Sequence, residues 1–244
     1  MMIGVVILAA GEGKRMKSDK AKVLVEVAGK PMINSVIDTA KGLDPEKITV
    51  VVGNKMEQII AHLRNEGLVF CVQLEQRGTA DALKSALPPF DGFDGEILVL
   101  CGDTPFIKTD TLNKLLQHHK STGAKATVLT AIHEDPKEYG RIVRDSQNNF
   151  MSIVEFADAD DTIRAIKEVN GGIYVFDSSM LWPTLELINT KNTQGEYYLT
   201  DIFSILIEKG EIVSAVPVDN PIETAGINRF EQIAEYEELF TDKY

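Results

Sequence analysis

Cysteine is scarce in this chain. Cys71 and Cys101 are the two present, each inside an apolar run. Two thiols are too few for a disulfide scaffold or a cysteine-based zinc site, so both read as small core hydrophobes in a reduced, cytoplasmic setting. Long apolar runs are missing too. No stretch approaches the roughly 20 residues of a membrane-spanning helix. The first apolar segment, residues 3–10, has no basic region before it and reads as a buried strand, not a signal peptide. An excess of positive charge is also absent: 25 Lys and Arg against 37 Asp and Glu give a net charge of −12. Nucleic-acid binders carry a basic footprint, so neither nucleic acid nor membrane is expected as a partner. A nucleotide substrate stays open, because a site needs only local positive charge. The remaining composition, 44% hydrophobic and 25% charged over 244 residues, fits one large α/β domain with a substantial core.

Local positive charge is present near the start. Residues 5–18 read Val-Val-Ile-Leu-Ala-Ala-Gly-Glu-Gly-Lys-Arg-Met-Lys-Ser, and Lys22 follows. Lys14, Arg15, Lys17, Lys20 and Lys22 place five cations in nine residues, with Asp19 the only acid among them. An apolar run that ends in a glycine-rich basic loop can set backbone N–H groups and cations around phosphates. The P-loop pattern does not fit, because Gly11 and Gly13 are one residue apart and Arg15 follows Lys14. The dinucleotide pattern G-x-G-x-x-G fails at Met16. The glycines alone leave two alternatives: a phosphate loop of another kind, or a strand-to-loop turn with surface cations.

Strand-like and helix-like segments alternate. Continuous apolar runs at 4–8, 48–52, 68–73, 97–100 and 126–131 predict strands covered on both faces. Apolar spacing of three and four predicts helices at 32–41, after Pro31, and at 55–64, 79–86 and 109–122. This alternation predicts a parallel sheet. Beyond residue 132, short strands are expected at 139–144, 151–156 and 170–176, and helices at 179–188, 199–208 and 229–239. No linker divides the halves, and the acidic stretch 158–161 reads as a solvated loop. Ligands of open α/β sheets sit at the carboxyl ends of strands, and Gly11, Gln73 and Asp103 fall at or just past such ends. Asp103, in Leu100-Cys101-Gly102-Asp103-Thr104-Pro105, suits a hard cation such as Mg²⁺ or, taken alone, a simple turn.

Leu8-Ala9-Ala10-Gly11-x-Gly13-x-Arg15-Met16 with Lys22-Val23-Leu24 resembles the signature of sugar-1-phosphate nucleotidylyltransferases. Further motifs follow in order: Gln73-x-Glu75-Gln76-x-Gly78-Thr79-Ala80, Gly102-Asp103, Tyr139-Gly140-Arg141-Ile142, Ile153-Val154-Glu155, Glu168-Val169-Asn170, Gly195-Glu196-Tyr197-Tyr198-Leu199-Thr200-Asp201 and Gly226-Ile227-Asn228-Arg229. Together they resemble the uridylyltransferase half of the bifunctional N-acetylglucosamine-1-phosphate uridylyltransferase/glucosamine-1-phosphate acetyltransferase family. The resemblance implies a Rossmann-like, mostly parallel mixed sheet flanked by helices, of the nucleotide-diphospho-sugar transferase type. It implies UTP and N-acetylglucosamine 1-phosphate as substrates, UDP-N-acetylglucosamine and pyrophosphate as products, and Mg²⁺ as cofactor. Arg15, Lys22 and Asp103 are its implied catalytic residues, and Asp103 and Asn228 its metal ligands. Leu8, Ala9, Ala10, Gly11, Gly13, Gln73, Gly78, Thr79 and Gly102 are the implied nucleotide-binding residues. Gly140, Glu155 and Asn170 are the implied sugar contacts. Residues 1–131 are then a nucleotide-binding part, 132–228 a sugar-binding part and 229–244 a C-terminal helix.

Each role has a plainer alternative. Asn228 and Thr79 could cap helices. The histidines His62, His118, His119 and His133 match no motif position, and a phosphate nucleophile with a second pKa of about 6 needs no general base. Two alternatives of function stay open: the same transfer to another sugar 1-phosphate, or a sugar-nucleotide sensor without catalysis. The chain also departs from the family pattern. It carries no hexapeptide repeat, so acetyl transfer is not expected of these residues. A natural single-function enzyme and a piece of a longer one both fit. Asp81 stands where relatives often have histidine, Gly171 where threonine is common, and Lys20 adds a cation beside Lys22.

Overall fold

The computed structural model describes residues 2–16 and 18–241. Lys17 of the cation cluster and residues 242–244 of the expected C-terminal helix lie outside them, as does the Lys14 side chain.

In chain order, β1 (Ile3–Ala9) leads through two 3₁₀ turns, Lys14–Met16 and Lys22–Leu24, to a small ribbon of β2 (Glu26–Val27) and β3 (Lys30–Pro31). Then follow α1 (Met32–Lys41), β4 (Lys47–Val52), α2 (Met56–Leu63), β5 (Val69–Val72), α3 (Thr79–Lys84), β6 (Glu96–Cys101), α4 (Thr109–Thr122) and β7 (Ala126–Ile132). The second half holds β8 (Arg141–Arg144), β9 (Phe150–Val154), α5 (Asp161–Arg164), β10 (Glu168–Asp177), α6 (Ser178–Leu185), α7 (Asp201–Glu208), β11 (Val213–Pro217), a 3₁₀ turn Pro221–Thr224 and α8 (Glu231–Thr241).

The apolar strands form because successive side chains point to opposite faces and both faces are covered. Val5, Ile7, Leu98 and Leu100 pack on one side with Ile33, Val36 and Leu112. Val6, Ile97 and Val99 pack on the other with Leu83, Leu181 and Phe203. The sheet runs β11-β7-β10-β6-β1-β4-β5, with β8 and β9 attached to β10. β1 is parallel to both β4 and β6, while β10 is antiparallel to β6 and β7. The result is a mostly parallel mixed sheet flanked by helices. The chain leaves β1 toward β4 and β5, then returns to its other side at β6. That reversal opens a crevice beyond the carboxyl ends of these strands. No described helix is long and apolar enough to cross a membrane.

The ribbon β2–β3, the short helix α5 and the strand β11 were not expected, and α7 starts late. β11 was not foreseen: Val213, Ser214, Ala215 and Val216 are only partly buried on an edge strand that ends at Pro217, so no continuous apolar run marks it. The three aspartates of the stretch 158–161 are exposed, as expected, and also do local work: Asp160 accepts from the Ile163 amide to cap α5, and Asp158 accepts from the Thr193 amide at 2.8 Å. α7 starts at Asp201, because Leu199 and Thr200 are held by other segments.

Candidate active site

The loop after β1 is shaped around Lys22. Gly13 has φ +63°, and a Cβ there would lie 2.8 Å from the Lys22 Cβ, so glycine is required twice over. Gln58 and Lys55 of the α2 region pin the loop: Gln58 Oε1 accepts from the Ala21 amide at 2.8 Å, and Lys55 donates to the Ser18 carbonyl at 2.6 Å. The Gly102 amide donates to the Leu8 carbonyl at 2.9 Å, which brings Asp103 beside the end of β1. The Lys22 ammonium donates to the Asp103 carboxylate and, at 2.7 Å, to Asn228 Oδ1. Arg15 donates to the same Asn228 oxygen at 3.3 Å and to Glu138 at 3.0 Å. Lys22 is mostly enclosed, at 13% side-chain exposure, whereas Arg15 is 54% exposed.

Asn228 does not cap α8. Its Nδ2 donates to the Gly226 carbonyl, which turns Oδ1 toward the two cations. Gln232 of α8 holds the segment before the helix, its Oε1 accepting from the Asn228 and Arg229 amides at 2.8 and 2.9 Å.

A cavity of about 450 Å³ opens beside this cluster, lined by Leu8, Ala9, Ala10, Gly11, Lys22, Gln73, Gly78, Thr79 and Asp103 among others. None of the four histidines lines it. A Cβ on Gly11 would meet nothing within 4 Å. Gly78 has φ +121°, and a Cβ there would fall 2.5 Å from the Tyr197 carbonyl oxygen. Its glycine is therefore demanded by the protein's own backbone. Tyr197 donates its amide to the Arg77 carbonyl and accepts from the Ala80 amide, while the Thr79 hydroxyl accepts from the Leu199 amide at 3.0 Å. Residues 195–201 thus clasp the 77–80 turn. Gln73 is buried, and its Nε2 donates to the Gly78 carbonyl and to Asp81.

Gly140, Glu155 and Asn170 meet at a second spot. A Cβ on Gly140 would be 3.2 Å from Glu155 Oε2 and 3.5 Å from the Asn170 Cβ. Thr200 donates to Glu155 Oε1 at 3.0 Å. Burial pushes the Glu155 carboxyl above its ordinary range, with Asp201, Asp158 and Glu196 adding to the effect and Thr200 opposing it. The Asn170 amide donates to the Tyr174 hydroxyl and accepts from the Gly172 amide. Gly171 faces neither group: a Cβ would sit 2.6 Å from the Leu129 carbonyl and 2.8 Å from the Thr224 methyl. Thr224 occupies the space a side chain at 171 would need. Burial, with Asp103 next and Lys22 opposing, raises the Cys101 thiol to about 12.

The chain matches the nucleotidyl transferase family over residues 4–220. It belongs to that family. Over 238 residues it is 47% identical to the bifunctional protein GlmU of Geobacillus sp. (strain WCH70), covering 98% of this chain and 52% of the relative. It is 46% identical to the bifunctional protein GlmU of Pelotomaculum thermopropionicum, again over 238 residues, covering 97% and 52%. The chain thus spans about half the length of the curated relatives it matches. A solved UDP-glucose pyrophosphorylase in complex with UDP-glucose superposes with a TM-score of 0.76 at 18% identity, covering 100% of both chains, a likeness of fold.

In this nucleotidyl transferase family member, a carboxylate oxygen and an amide oxygen already converge on one cation, the Lys22 ammonium. Hard oxygen donors of that kind fit Mg²⁺, with water and phosphate oxygens completing the shell. Among the described residues no group of three or more His, Cys, Asp or Glu could hold a metal by itself. Three contributors had no sequence signal: Glu138, Gln232 and Arg77 matter only through what folding sets beside them. Asp81 was visible solely as a departure from relatives.

Proposed function

We propose that the chain transfers UMP from UTP to N-acetylglucosamine 1-phosphate, giving UDP-N-acetylglucosamine and pyrophosphate. The observation that carries this reading is the meeting of Arg15, Lys22, Asp103 and Asn228 in one hydrogen-bonded cluster, whose Lys22 and Asp103 line the cavity beyond β1 and β6. Nucleotidyl transfer needs alignment and charge neutralisation more than proton transfer. The sugar phosphate oxygen is largely ionised at neutral pH, with a second pKa of about 6, and attacks the α-phosphorus in line with the departing pyrophosphate. Lys22 offers a compact point charge and Arg15 a planar fork to the phosphates. Mg²⁺, held by Asp103 and Asn228, would supply further neutralisation of phosphate charge. Leu8–Gly11 backbone groups, Gly13, Gln73, Gly78, Thr79 and Gly102 form the nucleotide side, within residues 1–131. Gly140, Glu155 and Asn170 form the sugar side, within 132–228, and α8 packs Ile233 and Tyr236 on the cluster around Met16 and Ile227.

The 47% identity to a bifunctional GlmU over 98% of this chain supports the choice of sugar and base. The test is pyrophosphate release with UTP, Mg²⁺ and a panel of sugar 1-phosphates. N-acetylglucosamine 1-phosphate should lead, and equal turnover of unacetylated sugars would overturn the assignment.

A further inference from the structure

Gln73 follows β5, is buried, and lines the cavity beside Gly78 and Thr79. A side-chain amide can present either its oxygen or its NH₂ to a ligand. Here the choice is removed. Nε2 donates to the Gly78 carbonyl at 3.1 Å and to Asp81 Oδ2 at 2.9 Å. Both partners are acceptors only, so turning the amide over would set Oε1 against two oxygens with no proton between them. Asp81 is itself held. Its Oδ1 accepts from Arg77 Nη2 at 2.9 Å, and the Arg77 guanidinium lies 5.7 Å from the centre of the Tyr197 ring. The Gln73 Oε1 accepts from no described residue and is not among the sealed, orphaned polar atoms, so it is the end left to the cavity.

We propose that Asp81, locked by Arg77, is a positioning residue that holds the Gln73 carbonyl outward and so selects a nucleotide base with a ring N–H at that point. The inference rests on the reading of Gln73 as a base contact. Uracil offers N3–H to such an acceptor. Cytosine presents a bare N3 lone pair, and two facing acceptors leave both unsatisfied. A histidine at position 81 could either donate or accept and would fix the amide less firmly.

The test compares equilibrium binding of UTP and CTP, together with KM and kcat, in the wild type and in Asp81→Ala, Arg77→Met and Gln73→Ala. Without Asp81 the Gly78 carbonyl alone opposes a turned-over amide, so the flipped orientation that suits cytosine costs less. The UTP:CTP affinity ratio should fall roughly tenfold in Asp81→Ala and in the same direction, by less, in Arg77→Met. The change should be read mainly in KM for UTP. Arg77 is exposed and does not touch the amide, so Arg77→Met carries the test if Asp81→Ala fails to fold. Unchanged UTP binding in Gln73→Ala would sink the base contact itself. Weakened binding there, with the wild-type ratio kept in both Asp81→Ala and Arg77→Met, would overturn the positioning role alone. An equal loss of UTP and CTP binding in Asp81→Ala would mark Asp81 as structural and overturn it too.

Discussion

Lys22 is the residue on which the candidate site turns. It touches both oxygens that suit a metal, and Gly13 is glycine partly so that its stem can pass. Removing a preorganised charge from a phosphate-transfer site acts mainly on the transition state. Lys22→Ala should lower kcat by about 10²–10³-fold, read as pyrophosphate release at saturating UTP. A variant with wild-type kcat would remove Lys22 from the mechanism. Glu155 makes a different prediction, about stability. Its folded carboxyl titrates above its unfolded one because burial disfavours the charge. Stability is therefore greatest below the unfolded carboxylate range and is lost as pH rises through the folded value. Glu155→Gln never ionises. Its melting temperature relative to the wild type should rise as pH goes from 4 to 8, while N-acetylglucosamine 1-phosphate binding weakens. A difference that stays constant across that range would contradict the burial argument. The residues were legible in the sequence and their contacts were not. Arg15, Lys22, Asp103 and Asn228 could be named from motifs, but the 206 positions between Lys22 and Asn228 close only in the fold.

At the scale of elements, the clasp of residues 195–201 on the 77–80 turn explains a pair of glycines with opposite demands. Gly78 is surrounded by the Tyr197 backbone at a positive φ, whereas Gly11 looks into open space. Gly78→Ala should destabilise the protein by about 1–3 kcal/mol in denaturant unfolding and weaken nucleotide binding. Gly11→Ala should leave unfolding unchanged and weaken nucleotide binding alone. Equal stability of the two variants would argue against the clasp. Strands β1, β4, β6 and β7 were legible because burial on both faces leaves a continuous apolar run. β11 was not, because its partly buried residues leave no such run. The order of the strands was illegible for another reason. β10 enters between β6 and β7 from 36 residues past the end of β7, and its pairing depends on contacts that no local window contains.

That insertion decides how the whole molecule should unfold. Residues before and after 132 share one sheet, since Val175 pairs with both Leu98 of β6 and Thr127 of β7. Trp182, the single tryptophan, belongs to α6 but stacks on Phe90 from the first half, with ring centroids 6.0 Å apart. Its fluorescence therefore reports on the join. If the nucleotide side and the sugar side fold as one unit, the loss of Trp182 fluorescence and of helical dichroism should coincide on heating. Leu98→Ala empties one face of the sheet in the first half, and Phe203→Ala the other face in the second. Each deletes a fully buried side chain, at a cost of roughly 2–5 kcal/mol, on the order of 10 °C in Tm. Both should move the same single transition, whichever probe is followed. A Phe203→Ala protein in which Trp182 melts early while the remaining dichroism holds would mean two units joined at a seam. Because β10 contributes backbone hydrogen bonds to a strand on each side, opening one half strips partners from the other, and the single transition is the outcome the topology requires.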